Sequence, residues 1–481
     1  MPAAAQDLKA FEKTVTDFTL ANGLRFLVVE RHDAPVVSFH TYVDAGSVDD
    51  PKGATGMAHM FEHMAFKGTE KIGSKNWADE KKALEAVDRA FDALRAERNK
   101  ARQADKKKIE ELDKAFKSAV EKAGELVETD EFSRIIEQSG GVGLNASTSA
   151  DRTNYFYNLP SNRVELWFYL ESERFLRPVY REFYKERDVV REERRMRTES
   201  NPVGKLVEVF LTTAFNAHPY GQPGVGWPDD VENFSIADAD AFYRKYYVPS
   251  AMTIALVGDV DPKEMRRMAE TYFARLPKRP VAPPVLTQEP EQPGERRLEV
   301  ESQAQPVILV GYRKPSQYDK DRAVFDVIQS VLAGGRTSWL YKELVRDKQL
   351  ALAAGGFPGF PGEKYPGMFL FYAFPNSGKT VAENEAAMYT LIEKLKTEKV
   401  DQETLDMVKT KNRAELIQKL ERNAGLADLM AAYQGVFGDW RQLFHELDEI
   451  NRVTADDVQR VAKQYFTKKN RTVGWLVQAG K

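Results

Sequence analysis

The stretch AHMFEHMAFKG, residues 58 to 68, places His59 and His63 four positions apart with Glu62 immediately before the second. On a helix, residues four apart share one face, so both imidazoles reach a single ion at zinc-to-nitrogen distances of about 2.0 to 2.1 Å. A glutamate beside such a pair, and not itself a ligand, is placed to take a proton from a water that the metal acidifies. Two histidines do not complete a zinc site, so a third protein ligand is required. Carboxylates crowd the segment KERDVVREERRMR, residues 185 to 197.

Composition narrows the alternatives. The 481 residues contain no cysteine, so thiolate ligands, disulfides and a cysteine nucleophile are excluded, and any metal is held by His, Asp or Glu. With 70 basic and 73 acidic residues the net charge is −3, which points to neither nucleic acid nor an anionic membrane as a partner. No apolar run approaches the roughly 18 residues that span a bilayer. The opening MPAAAQ reads as the small-residue remnant of a removed signal or as a disordered tail. Export, with the periplasm as compartment, is the expectation it favours over the cytoplasm.

The elements that must position the histidines follow from periodicity. Alternation in LRFLVVE (24 to 30) and VVSFHTYV (36 to 43) predicts strands ahead of the histidine-bearing helix. The proline- and charge-rich stretch 279 to 297 reads as an extended linker, giving a first domain over 1–280, a linker at 281–297 and a second domain over 298–481. Residues 235 to 258 lie over 454 to 477 at a shift of 219. Ser235 and Thr454 are both helix-capping types, Tyr246-Tyr247 faces Tyr465-Phe466, and an apolar strand follows in each. The two halves are therefore expected to share a fold: α+β, each a mostly antiparallel sheet packed with helices. Residues 76 to 128 carry apolar side chains at steps of three and four, from Leu84, Val87, Phe91 and Leu94 to Ile109, Leu112, Phe116, Val120 and Ala123, and predict a helical hairpin. Charged helices of this kind read by default as a solvated decoration.

These motifs carry a resemblance. AHMFEHMAFKGTEKIG resembles the His-x-x-Glu-His signature of the inverzincin metallopeptidases, specifically the insulinase/pitrilysin family and its mitochondrial-processing-peptidase-like branch. Further matches follow in the family's order: SGGVGLNASTSADRTNYFYNLP (139 to 160), ERDVVREE (186 to 193), FNAHPYGQPGVGWPDDV (215 to 231) and YYVPSAMTIALVGDV (246 to 260). The resemblance implies one Zn2+ per chain held by His59, His63 and Glu193, with Glu62 as general base and Glu186 as the carboxylate that supports a ligand from behind. Glu192 competes with Glu193 for the third position, and the register of ERDVVREE favours Glu193. The segment at 76 to 128 accounts for a His63-to-Glu193 separation of 130 residues, roughly fifty more than the family spacing. By the same resemblance Gly143 to Ser149 is an edge strand that receives a peptide substrate, with Asn145, Ala146 and Ser147 along it.

One pair is missing. Where the family's second half carries an arginine and, seven positions later, a tyrosine, this chain has Val345 and Leu352. A slip of one residue gives Arg346 but then Ala353, and Arg336 and Tyr341 lie too early and too close together. The resemblance therefore implies the zinc-bearing peptidase chain of a heterodimer whose partner supplies that pair. Its rivals are a self-sufficient homodimer and a non-catalytic scaffold subunit.

Overall fold

The computed structural model describes residues 11–478; the MPAAAQ opening lies outside them. The first half builds a six-stranded sheet from β1 (Val15–Thr19), β2 (Arg25–Glu30), β3 (Val36–Val43), β4 (Val142–Thr148), β5 (Thr153–Pro160) and β6 (Met252–Gly258), in the order β1-β2-β6-β3-β5-β4. The second builds five strands, β7 (Arg296–Ser302), β8 (Ile308–Lys314), β9 (Ala351–Phe360), β10 (Gly367–Pro375) and β11 (Arg471–Gln478), in the order β7-β11-β8-β10-β9. Setting β1 aside, the orders correspond strand for strand, and in both sheets only the pairing with the last strand, β2 to β6 and β7 to β11, is parallel. The 219-residue shift carries the helix Ile236–Tyr246 onto Ala455–Tyr465. Ser235 and Thr454 each close a capping box with the aspartate three residues on. Residues 277 to 294, between the sheets, form no helix or strand.

Strands β2, β3 and β6 are buried almost throughout because both faces of the first sheet are covered. One face packs Phe26 and Phe39 against Trp167, Phe168 and Phe273 from helices of its own half. The other packs Leu27, Val29, Tyr42, Ala255 and Val257 against Leu426, Ala427, Met430 and Ala431 of the helix Asn423–Phe437, which belongs to the second half. The exchange is mutual. The helix Pro202–Ala214 of the first half presses Leu206 and Phe210 onto Val307, Leu309, Met368, Leu370 and Leu476 of the second sheet. Close approach is secured by glycines: Phe210 sits over Gly311 and Gly474, and Tyr42 sits against Gly435 of the visiting helix.

The segment at 76 to 128 is a hairpin of the helices Trp77–Arg98 and Lys106–Gly124, capped by Asn76 and Asp105. It is not the solvated decoration its charge suggests: Val87, Phe91, Leu94, Phe116 and Ala123 are buried in the first core. Most of the charge lies on the faces turned away from that seam, as in an amphipathic pair packed on a domain, while Glu80 and Glu97 are buried.

Gly435→Ala tests the exchanged packing. Alanine raises helix propensity by about 1 kcal/mol, but its β-carbon overlaps the Tyr42 ring, and overpacking costs about 1–3 kcal/mol. The expected outcome is a lower melting temperature, relieved when Tyr42→Leu is added.

Candidate metal centre and active site

The site is built from two short helices. The first, Met57–Met64, buries Met57, Ala58, Met60 and Phe61 in the core of the first half and turns His59 and His63 the other way. Its N-terminus is held by Asp50, whose carboxylate accepts the backbone N–H of Gly56 at 2.7 Å and of Ala58 at 2.8 Å, satisfying donors that a helix start leaves open. The step of four brings the two imidazoles to 4.8 Å between centroids, inclined at 81°. The second helix, Phe183–Arg194, carries Glu186 and Glu193 two turns apart on one face.

Both imidazole Nε2 atoms converge on one oxygen. Glu193 Oε2 lies 3.0 Å from His63 Nε2 and 3.5 Å from His59 Nε2. Ligands at 2.0–2.1 Å from a tetrahedral zinc are about 3.3 Å apart, so these separations bracket the edge of such a polyhedron. Among the described residues this trio is the group of histidine and carboxylate ligand atoms close enough to share an ion. Two imidazole nitrogens and one carboxylate oxygen are the donor set of an open, three-ligand zinc site. The residues present fit zinc.

The surroundings orient these ligands. Glu186 Oε2 lies 3.5 Å from His63 Nδ1, and Lys67, one turn beyond His63, reaches Glu186 Oε1 at 2.5 Å and Glu182 at 3.1 Å. Arg197 pairs with the other oxygen of Glu193 at 2.7 Å. His59 Nδ1 is buried without a hydrogen-bond partner, so packing sets the orientation of that ring. Glu192 turns outward and pairs with Arg195 at the surface. Glu62 is half-buried on the histidine helix between the two ligands.

Charge in the trio is already arranged for a cation. Burial works against a charge on His63, but the hydrogen bonds and charges of Glu186 and Glu193 carry it up to about 9. The hydrogen bond from His63 holds Glu193 below the usual carboxylate range. Burial pushes His59 down, more than Glu193 restores. Without metal, the cationic position is therefore taken by the His63 proton.

The expected edge strand is β4, the last strand of the first sheet, running beside the histidine helix. Ala146 is buried, Asn145 and Ser147 are exposed, and Asn145 Oδ1 accepts the Ala146 N–H at 2.9 Å. In the second half, Val345 packs against that half's core, Leu352 is exposed on the outermost strand β9, and Arg346 pairs with Asp347. Lys67 and Arg197 are site residues that the motif reading passes over. Their signal is the four-residue step from His63 to Lys67 and from Glu193 to Arg197.

The metal-free protein should lose stability as pH rises. His63 has a folded pKa of about 9 against the ordinary 6.5 of an imidazole, so its contribution is complete below 6.5 and lost as pH passes through 9. Melting curves of the metal-free chain are expected to shift downward from pH 6.5 to 9.5, with a smaller shift in the His63→Ala variant.

The family model described as "Insulinase (Peptidase family M16)" matches residues 25–93 and the one described as "Peptidase M16 inactive domain" matches residues 233–412, together over half of the chain. The "Zinc protease PqqE" of Helicobacter pylori is 29% identical over 465 residues, which cover 95% of this chain and 91% of that protein. The crystal structure of a protease from Helicobacter pylori matches with a TM-score of 0.80 at 28% identity, covering 96% of this chain and 99% of that one. The periplasmic protease PqqL from Escherichia coli shares the fold, with a TM-score of 0.70 at 17% identity over 97% of this chain and 48% of that one. The chain belongs to the insulinase family, peptidase family M16.

Proposed function

We propose that the chain is a zinc-dependent endopeptidase acting on peptides or unfolded segments bound as an added strand along β4. The observation that carries this reading is the convergence of His59 and His63 on Glu193, with Glu62 between the histidines and an open sheet edge alongside. A zinc ion bound there supplies Lewis acidity to the scissile carbonyl and acidifies the attacking water. Glu62 takes the proton from that water and returns it to the departing amine. Glu186, braced by Lys67, keeps His63 Nε2 turned toward the centre. The outer edge of β4 aligns the peptide by main-chain hydrogen bonds, so selectivity falls on pockets for alternate side chains.

The chain acts in this reading with a related partner. Val345 and Leu352 offer no hydrogen-bond donor to a developing oxyanion, and losing such a donor costs about 10²–10³ in rate. A second chain of the family, carrying an arginine and a tyrosine at those positions, completes the site. Its compartment is the periplasm, which agrees with the description of PqqL as a periplasmic protease.

Peptide hydrolysis by the zinc-loaded chain, alone and mixed with such a partner, tests the proposal. Activity is expected in the mixture and to fall by about 10²–10⁴ in Glu62→Gln with zinc retained. Full activity of the single chain would instead establish a self-sufficient homodimer or monomer, and no activity in either case a scaffold. Peptides N-methylated at backbone amides flanking the scissile bond are expected to bind more weakly, because they cannot donate to the β4 edge.

A further inference from the structure

The helical hairpin at 76 to 128 packs against the glutamate helix. Tyr184, the second residue of the glutamate helix, lies 4.6 Å from Phe91 and 5.0 Å from Phe116 between ring centroids, and its hydroxyl donates to Asp88 at 3.2 Å. The Arg187 guanidinium lies over the Phe91 ring at 5.0 Å. These contacts fall on the face of the helix opposite Glu186 and Glu193.

Beneath them lies an ion pair with no exposure to solvent: Glu80 of the hairpin is 0% exposed and Arg181, two residues before the glutamate helix, 1%. Arg181 donates to both Glu80 oxygens, at 2.6 and 3.0 Å. Its remaining donors go to the carbonyl oxygens of Lys67 at 2.6 Å, Thr69 at 3.1 Å and Ile72 at 3.0 Å. Those carbonyls belong to the loop that leaves the histidine helix. One guanidinium therefore fastens together the exit of the helix bearing His59 and His63, the entrance of the helix bearing Glu186 and Glu193, and the hairpin. Removing a charged pair from water is costly, and well-packed apolar residues of similar volume serve stability as well or better. Beyond supplying the donors of three carbonyls, the guanidinium gives a fixed geometry among the three segments it joins.

We propose that Arg181 and Glu80 are positioning residues for the metal centre, setting the distance between the histidine and glutamate helices through the hairpin. The inference rests on the reading of His59, His63 and Glu193 as a zinc site. Arg181 touches neither ligand nor substrate, and acts through the backbone of residues 67 to 72 and through the start of the glutamate helix. Lysine at 181 keeps the charge but lacks the planar fork that holds five acceptors at once.

Zinc affinity, measured by competition with a chromophoric chelator, and the melting temperature of the metal-free protein separate positioning from stability. Arg181→Lys is expected to weaken zinc binding about 10- to 100-fold. The paired variant Glu80→Met with Arg181→Met leaves the carbonyls of Lys67, Thr69 and Ile72 without this donor, so it is expected to melt lower and to bind zinc more weakly. If both variants bind zinc as tightly as the unaltered chain, the pair is structural and the proposal fails. Should the paired variant not fold, Arg181→Lys decides alone, the proposal standing on weakened zinc binding by a folded variant and falling on unchanged binding. An unaltered chain that takes up no zinc overturns the metal reading itself, and that outcome is read from the parent protein before any variant.

Discussion

Two imidazoles and two carboxylates pressed together in a largely buried seam are stable only if positive charge balances them. The Glu186 and Glu193 side chains are 12% and 15% exposed, and each commits one oxygen to a basic partner, Lys67 or Arg197. The other Glu193 oxygen faces both imidazoles. Flanking bases thus neutralise the rim while the middle stays electron-rich, and a cation with a taste for nitrogen and oxygen ligands suits that middle. Most of the first half can be understood as scaffolding for this seam. Asp50 anchors one end of the histidine helix, the aromatic floor under Phe61 fixes its roll, and the hairpin presses the glutamate helix onto it.

The second half repeats the sheet without repeating the centre. Its contribution to the first half is mechanical: the helix Asn423–Phe437 seals a sheet face that would otherwise expose Leu27, Val29 and Val257 to water. Polar ties reinforce the contact at the hairpin tips. Asp151, in the turn between β4 and β5, accepts the backbone N–H of Glu363 and of Lys364, between β9 and β10, and Lys364 reaches Asp44 at 2.7 Å. The hairpin bearing the edge strand β4 is therefore referenced to the opposite half of the molecule.

Much of this was legible in the residue order where physics is local. The His-x-x-Glu-His step, the strands at 25 to 30 and 36 to 43, the helical hairpin, and the duplicated capping box with its strand each depend on neighbours within a few positions. The exchange of helices was not legible. The apolar faces of Pro202–Ala214 and Asn423–Phe437 announce burial without saying against which sheet, and the answer lies more than 80 residues away in sequence. The hairpin's role was hidden for a similar reason. Glu80 sits in a run of charged residues that reads as solvent-facing, and only the fold reveals that it is fully enclosed by a partner 101 positions later.

The reciprocal helix exchange also dictates when the chain can fold. As the polypeptide emerges from its N-terminus, β1 to β6 are complete by residue 258, yet the helix that covers their outer face ends only at residue 437. Between residues 258 and 437 of its synthesis the first sheet carries a bare apolar face, and loop closure over such a span is slow relative to local contacts. A nascent chain of this design stays incompletely folded until nearly all of it is made, a state that invites chaperone capture and that a translocation channel accepting only unfolded polypeptide can use.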